Sequence, residues 1–324
     1  MKYFKIKGLD KEVSRVMMGT GWFSLEDEDV IFELLDTYVK AGGNVIDTGR
    51  FYNGGKSEKV LTKWLNSRNN RDGLVIINKA CHHYVDENNV HYSEKNRVGA
   101  QYITEDLEYS LNNMNVKYFD IYEMHRDNVE VPVAELMDRL EQHRLEGKIK
   151  TYGVSNWSNE RVEEANEYCK SKGYLGISVN NPSFSLANVN KPRWVGCVYV
   201  DADYVKRCND DGISIVSWGA QGAGFFVPLW KDINQDAPQD IREAYFTEEN
   251  FERLKRAEEI AKIKGNDVEP INIALAYVID ERMDVAASIG PRKKSELQSS
   301  LKALDIILTS EEIKYLELKS DKLN

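Results

Sequence analysis

The stretch that decides the fold runs from Glu26 to Asp47 and reads EDEDVIFELLDTYVKAGGNVID. Over Glu26–Ala41, Val30, Ile31, Leu34, Leu35, Tyr38 and Val39 recur at one-face helical spacing. Ser24, with Asp27 three residues on, predicts a capping box at the helix start, and Gly42 and Gly43 supply the stop. Asn44–Asp47 then forms a short apolar run ending in an acid, the pattern of a buried strand. This helix-then-strand unit repeats outward in both directions. Strands are expected at Ser14–Gly19, Asn44–Asp47, Leu74–Lys79, Phe119–His125, Ile149–Ser155, Gly176–Asn180, Ser214–Trp218 and Val285–Gly290. Amphipathic helical stretches separate them; one opens at Pro132 and closes at Gly147.

Eight such units predict a (β/α)8 barrel of the α/β class, occupying residues 1–324 as a single domain. A doubly wound sheet would carry G-x-G-x-x-G after its first strand. Here the nearest glycine grouping is Gly219, Gly222 and Gly224, in a different order and after the seventh strand. Three connections exceed the usual length: Ala80–Gly99, Asn181–Val200 and Gln221–Phe246. All three follow strands, so a barrel places them together over its C-terminal mouth as a lid or pocket wall.

The chain is 42% hydrophobic, enough for one large core, and carries a formal net charge of −10. Beyond the short cluster Arg292–Lys294, no stretch concentrates Lys and Arg as displacing a nucleic acid's counterions requires, which argues against nucleic acid. The opening MKYFKIKGLDKE lacks an apolar segment, and no run of eighteen apolar residues occurs. Cys81, Cys169, Cys197 and Cys208 show no CxxC spacing, as expected of reduced thiols. The expectation is a cytoplasmic protein without a membrane partner, its oligomeric state open.

Four ionisable side chains fall at or just past strand ends: Asp47 closing NVID, Tyr52 five residues later, Lys79 closing LVIINK and His125 closing FDIYEMH. Alone, each has a bland structural role, as a turn cap, an ion-pair partner, a packed aromatic or a core histidine. Strands two, three and four are neighbours in a barrel, so together they predict one pocket holding a carboxylate, a phenol, an ammonium and an imidazole.

Gly42–Glu58, GGNVIDTGRFYNGGKSE, resembles the aldo-keto reductase segment in which a strand delivers an Asp-Thr pair, followed by the catalytic tyrosine and a G-x-S-E turn. Lys79 and His125 match that family's lysine and histidine. Gly153–Trp157, GVSNW, is similar to its strand-five signature, whose Ser and Asn (here Ser155 and Asn156) hold the nicotinamide carboxamide. The likeness covers nearly the whole chain and implies hydride exchange between NAD(P)H and an aldehyde, ketone or sugar-like carbonyl.

The chemistry follows from the side chains. Carbonyl reduction loads negative charge on oxygen, so a proton donor must point there. A phenol with a reference pKa of about 10 is a slow acid near neutrality, and a neighbouring ammonium favours the phenolate. Lys79 is therefore expected to pull the Tyr52 phenol down, with Asp47 holding Lys79 and His125 donating to the same oxygen.

For the cofactor, the resemblance implies contacts from Gly19, Thr20 and Asp47, and stacking of the nicotinamide on Trp218. Gly219, Gln221 and Gly222 follow in ISIVSWGAQGAGFF and would wrap the pyrophosphate. In SIGPRKKSELQSSLKAL, Gly290 and Arg292 match the family's strand-eight turn, and Arg292 with Lys293 or Lys294 suits a 2′-phosphate. NADP(H) is expected over NAD(H). The chain departs from the family at Asn180 (a glutamine there), at Glu296 and Ser300 (Gln and Asn there) and at Ala220 (a proline there).

Trp22 after strand one is expected to face substrate, while Tyr84, Trp194 and Trp230 are candidate aromatic walls. His82 is a candidate substrate contact. His82, His83 and His91 invite a metal reading, but adjacent histidines should diverge, and no H-x-H follows strand one. No metal is expected. The rival functions are a metal-dependent barrel hydrolase or isomerase, and a nucleotide-sensing regulatory subunit.

Overall fold

The computed structural model describes residues 1–323. Eight parallel strands close into a barrel in chain order. They are β1 Val16–Gly19, β2 Val45–Asp47, β3 Val75–Ala80, β4 Phe119–Met124, β5 Ile149–Ser155, β6 Val179–Asn181, β7 Ser214–Ser217 and β8 Val285–Ile289. The circle closes where Ala287, Ser288 and Ile289 pair with Val16, Met17 and Met18.

The helices are α1 Glu28–Lys40, α2 Lys56–Arg68, α3 Ala100–Met114, α4 Val133–Leu145, α5 Asn159–Lys172, α6 Ala202–Asp210, α7 Gln239–Tyr245, α8 Glu248–Lys264, α9 Pro270–Val278, α10 Lys294–Lys302 and α11 Ser310–Leu316. None is long and apolar enough to cross a membrane.

Side chains alternate along each strand, so one parity fills the barrel and the other meets the helices. Met17, Val45, Val75, Ile77, Ile121, Val179, Val216 and Ala286 form the inner cluster. Phe4, Ile6 and Val13 join them from an N-terminal hairpin that pairs Tyr3–Phe4 with Val13–Ser14. That hairpin plugs the bottom of the barrel and leaves the C-terminal mouth as the open end. Ser14, expected in strand one, belongs to the plug, because it pairs with Tyr3.

The helix expected after strand one is α1, and it buries Ile31, Leu34, Leu35 and Tyr38. Its start differs from the expected capping box. The Ser24 hydroxyl donates to the Asp27 carboxylate at 2.7 Å rather than capping a backbone N–H, and a 3-10 turn precedes the helix. The stop is as read: Gly42 has φ +89°, and a Cβ on Gly43 would lie 2.1 Å from the Tyr38 ring.

The three long connections carry structure of their own. In the first, Tyr84–Val85 pairs antiparallel with His91–Tyr92; in the second, Ser183–Phe184 pairs parallel with Tyr199–Val200. The third contains α7. Their backbone groups thus find partners without joining the barrel.

Candidate active site

Asp47 ends β2, Lys79 lies in β3, and His125 directly follows β4, its N–H donating to the Ala80 carbonyl at 2.7 Å. Tyr52 opens a tight turn in which Asn53, Gly54 and Gly55 all have positive φ, so the ring folds back over the mouth. The Lys79 ammonium is ion-paired to Asp47 Oδ1 and donates to the Thr48 carbonyl at 3.1 Å. Asp47 Oδ2 in turn accepts from the Ser288 hydroxyl at 2.9 Å. Lys79 Nζ lies 5.0 Å from the Tyr52 ring centroid, and the His125 ring centre is 5.5 Å from that of Tyr52. Tyr52, Lys79 and His125 line one pocket, and Asp47 lies behind Lys79 as its ion-pair partner.

A fifth ionisable group is buried with them. Glu123 on β4 places Oε2 3.9 Å from Lys79 Nζ and accepts from the Asn181 amide at 3.0 Å. Burial pushes its carboxyl up to about 7; Lys79 pulls it down and Asp47 adds to the rise. Lys79 itself is held above its ordinary value: burial works against the charge, but Asp47, Tyr52 and Glu123 outweigh it. Burial also holds the His125 imidazole well below its usual range, helped by His82 and Arg126. It is therefore a neutral ring.

One expectation is reversed. The Tyr52 phenol is pushed up to about 12, because burial raises it more than Lys79 lowers it, and Asp47 adds to the rise. The phenol here is a hydrogen-bond donor held protonated, and the ammonium limits a shift that burial alone would make larger.

Above these groups opens a cavity of about 840 Å³, walled by Trp22, Phe51, Trp194 and Trp218. Asn156 holds Trp218, its Oδ1 accepting from the indole Nε1 at 3.1 Å. The same amide donates to the His125 carbonyl and the Ser155 hydroxyl, so Asn156 is already fully engaged. A second groove, about 750 Å³, runs from Gln221 past Gly290 to Lys293, Glu296 and Ser300, and Arg292 lines both spaces. The two spaces adjoin at Arg292, one over the tetrad and the other at the start of α10.

Together the two spaces suit a dinucleotide. At the mouth the Asn181 side-chain oxygen is buried without a partner, an acceptor waiting for an N–H such as a carboxamide's. Gly219 and Gly222 take φ of +68° and +55° in the turn after β7, and that turn sets Gln221, Ala223 and Gly224 on the groove wall. Gln221 Nε2 donates to the Ser300 hydroxyl at 3.2 Å, closing the far wall.

Several expected contacts sit elsewhere. Asn180 is turned outward, its amide donating to the Tyr204 hydroxyl of α6 at 2.6 Å; Asn181 is the residue facing the mouth. The cause is strand parity, since Val179 points inward and Asn180 must therefore point out. Thr20 is fully buried and donates to the Asp47 carbonyl at 3.1 Å, and Gly21 lines the cavity instead. A Cβ on Gly19 would lie 2.8 Å from the Ser288 hydroxyl, so Gly19 lets β1 and β8 close. Lys294 pairs with Glu33 of α1 at 2.8 Å, away from the groove. Trp230 packs on Phe246, and Tyr84 sits on the hairpin beside Phe51, outside the cavity wall.

The histidines do not diverge. The His82 and His83 rings are 3.9 Å apart, and His83 Nε2 meets His91 Nδ1 at 2.8 Å. Donor atoms of all three lie within 4.8 Å of one another, because the hairpin carries His91 back over the adjacent pair.

Glu123, Ser288 and Asn181 escaped the sequence reading. Parity could have found them: Glu123 shares an inward face with Ile121 and His125, Ser288 with Ala286, and Asn181 with Val179.

The family model described as the aldo/keto reductase family matches residues 15–321. The chain belongs to the aldo/keto reductase family. It is 27% identical to norsolorinic acid reductase of Aspergillus flavus over 310 residues, covering 92% of this chain and 74% of that protein. It is 25% identical to an aryl-alcohol dehydrogenase of Pestalotiopsis microspora, covering 90% and 72%. In structure it resembles the glycerol dehydrogenase of Gluconobacter oxydans, with TM-score 0.79 and 23% identity over 97% of this chain and 94% of that one. Aldo/keto reductases are oxidoreductases that use nicotinamide cofactors, and as a member this barrel is one such enzyme.

Proposed function

We propose that this aldo/keto reductase reduces an aldehyde, ketone or sugar-like carbonyl in the cavity beneath Trp22 and Trp218, with Tyr52 giving the proton to oxygen. The observation that carries the reading is the buried chain Ser288–Asp47–Lys79 beside the Tyr52 ring. The bound nicotinamide cofactor supplies the hydride. Everything else falls to the protein.

Tyr52 and the neutral His125 both donate toward one oxygen above the barrel, stabilising the negative charge that develops there. Burial raises the Tyr52 phenol, but Lys79 stands beside it, so proton loss from Tyr52 leaves a phenolate against an ammonium. Asp47 keeps that ammonium charged and fixed. In the oxidative direction the same phenolate accepts the alcohol proton.

Asn181 and Ser155 are proposed at the carboxamide, with Asn156 behind them holding Ser155 and Trp218, Trp218 against the ring, and Gly219, Gln221 and Gly222 along the pyrophosphate. Gly290, Arg292, Lys293, Glu296 and Ser300 line the far groove, where Arg292 and Lys293 favour NADP(H) over NAD(H). The surroundings proposed are cytoplasmic. The test is a panel of aldehydes, ketones and sugars followed by NADPH and NADH absorbance. Oxidation of reduced nucleotide with any carbonyl is the expected result. Nucleotide binding, seen as tryptophan quenching, with no turnover of any carbonyl would favour a sensing subunit instead.

A further inference from the structure

The mouth cavity has an unusual charge. In a chain with net charge −10, no Asp or Glu lines it, yet Lys79, Arg126, Arg193 and Arg292 do. Three of these cations are accounted for. Lys79 is paired to Asp47, Arg193 to Asp240 at 2.6 Å, and Arg292 lies over the Trp22 ring at the entrance to the cofactor groove.

Arg126 is not. Among the described residues it forms no ion pair; its Nη1 donates to the neighbouring His125 carbonyl at 2.8 Å, and its Nε is buried without a partner. A buried donor left without a partner costs free energy unless a ligand completes it. The Arg126 side chain lines the same cavity as Tyr52 and His125. Its charge is felt by His82 and His83, whose rings burial and Arg126 together hold at about 2 and about 4. Those neutral rings are hydrogen-bonding groups, and the same positive field opposes a cation between them.

We infer that the carbonyl substrate carries an anionic group, a carboxylate by chemical class, which Arg126 receives at the wall formed by His82 and Trp194. This rests on the reductase reading and narrows its substrate. The guanidinium fork matches a carboxylate with two parallel hydrogen bonds, and the aromatic walls at Phe51 and Trp194 suit a flat carbon frame between acid and carbonyl.

The experiment compares 4-carboxybenzaldehyde with its uncharged methyl ester as substrates of the whole enzyme with NADPH. The acid should be preferred in kcat/KM by at least about tenfold, mainly through KM, as expected for a charge-assisted pair. In Arg126→Met that ratio should fall by at least about tenfold, and Arg126→Lys, which keeps the charge without the fork, should lie between. A wild-type ratio of one or less, or the same ratio in Arg126→Met, overturns the inference. Binding of benzoate against benzamide, read by tryptophan fluorescence, separates the two layers of the claim. Tighter benzoate binding that Arg126→Met abolishes, with no aldehyde reduced, would sink the reductase reading and leave the anion site standing. Equal binding of the two would sink the anion site, whatever the turnover.

Discussion

Lys79 and Glu123 are direct partners across β3 and β4, and their side chains meet inside the barrel with 3.9 Å between Nζ and Oε2. The ammonium thus stands between two buried carboxylates, of which only Asp47 is in contact. Glu123 is the weaker partner, held up to about 7 by burial.

A stability prediction follows from that shift. The unfolded chain loses the Glu123 proton near its ordinary value, about 4.5, while the folded chain keeps it to about 7. Between those values the folded state binds more protons, so this group lowers stability as pH rises, and the full penalty is present above about pH 7. Glu123→Gln cannot ionise and escapes it. The gap in Tm between variant and wild type should move in the variant's favour from pH 4.5 to pH 7.5, by several degrees if about 1 kcal/mol shifts Tm by about 2–4 °C. A constant gap across that range would show that Glu123 loses its proton in the fold as it does in the unfolded chain.

Removing the proposed proton donor separates chemistry from binding. Tyr52→Phe keeps the ring that packs against His125 and loses only the hydroxyl. Reduction should fall by about 10²–10⁴ or more, with nucleotide quenching of tryptophan nearly unchanged. Lys79→Met should cost comparable activity and shift the remaining oxidation to higher pH, since the phenolate loses its counter-charge. Substantial turnover by Tyr52→Phe would remove the residue from the role given to it.

The barrel was legible because its signals are repeated. Each helix-then-strand unit shows the same change of period, as Glu26–Asp47 does, and the parallel strands are short apolar runs that burial on both faces demands. The gathering of Asp47, Lys79 and His125 was legible because they stand at the ends of those runs, with Tyr52 five residues past the second of them. What escaped was governed by direction rather than by residue type. Asn180 and Asn181 are the same amide in adjacent positions, and only the inward setting of Val179 decides which reaches the mouth. The rise of the Tyr52 phenol was hidden too, because the sequence names the ammonium beside it but not the degree of burial that outweighs it. The meeting of His82, His83 and His91 depended on a hairpin inside a stretch read as loop.

The two asparagines give a direct check on that parity. Asn181→Ala should raise KM for the nucleotide, because the orphaned acceptor at the mouth disappears. It should also free Glu123 from its hydrogen bond. Asn180→Ala should leave that KM unchanged and lower stability by about 1 kcal/mol, the usual worth of one hydrogen bond to a group such as the Tyr204 hydroxyl. Measured KM values and melting curves for both variants decide it; the opposite pattern would return Asn180 to the cofactor.

Cofactor preference rests on a compromised basic cluster. Glu296 Oε2 accepts from the Arg292 backbone N–H at 2.8 Å, and its other oxygen lies 3.7 Å from Lys293 Nζ. A carboxylate therefore stands where a 2′-phosphate would bring more negative charge. Glu296→Gln should improve KM for NADPH and leave NADH nearly unchanged, while Arg292→Ala should weaken NADPH by at least about tenfold. Equal effects on the two nucleotides would show that the cluster never meets the extra phosphate.

The three histidines provide the test between hydride transfer and metal chemistry in this cavity. Their donor atoms are close enough to converge on one ion, yet His83 and His91 are already bonded to each other, and His82 Nδ1 meets the His83 carbonyl at 2.9 Å. Arg126 adds positive charge to the same wall, which a divalent cation would have to overcome. The proposed reaction draws nothing from an ion there, since the charge on the reacting oxygen is met by Tyr52 and His125. Dialysis against a chelator should therefore leave carbonyl reduction unchanged, and added Zn²⁺ should at most inhibit it by blocking the wall. A loss of activity on chelation, restored by the metal and absent in a His83→Ala variant, would place the ion in the mechanism and the protein in a different chemical class.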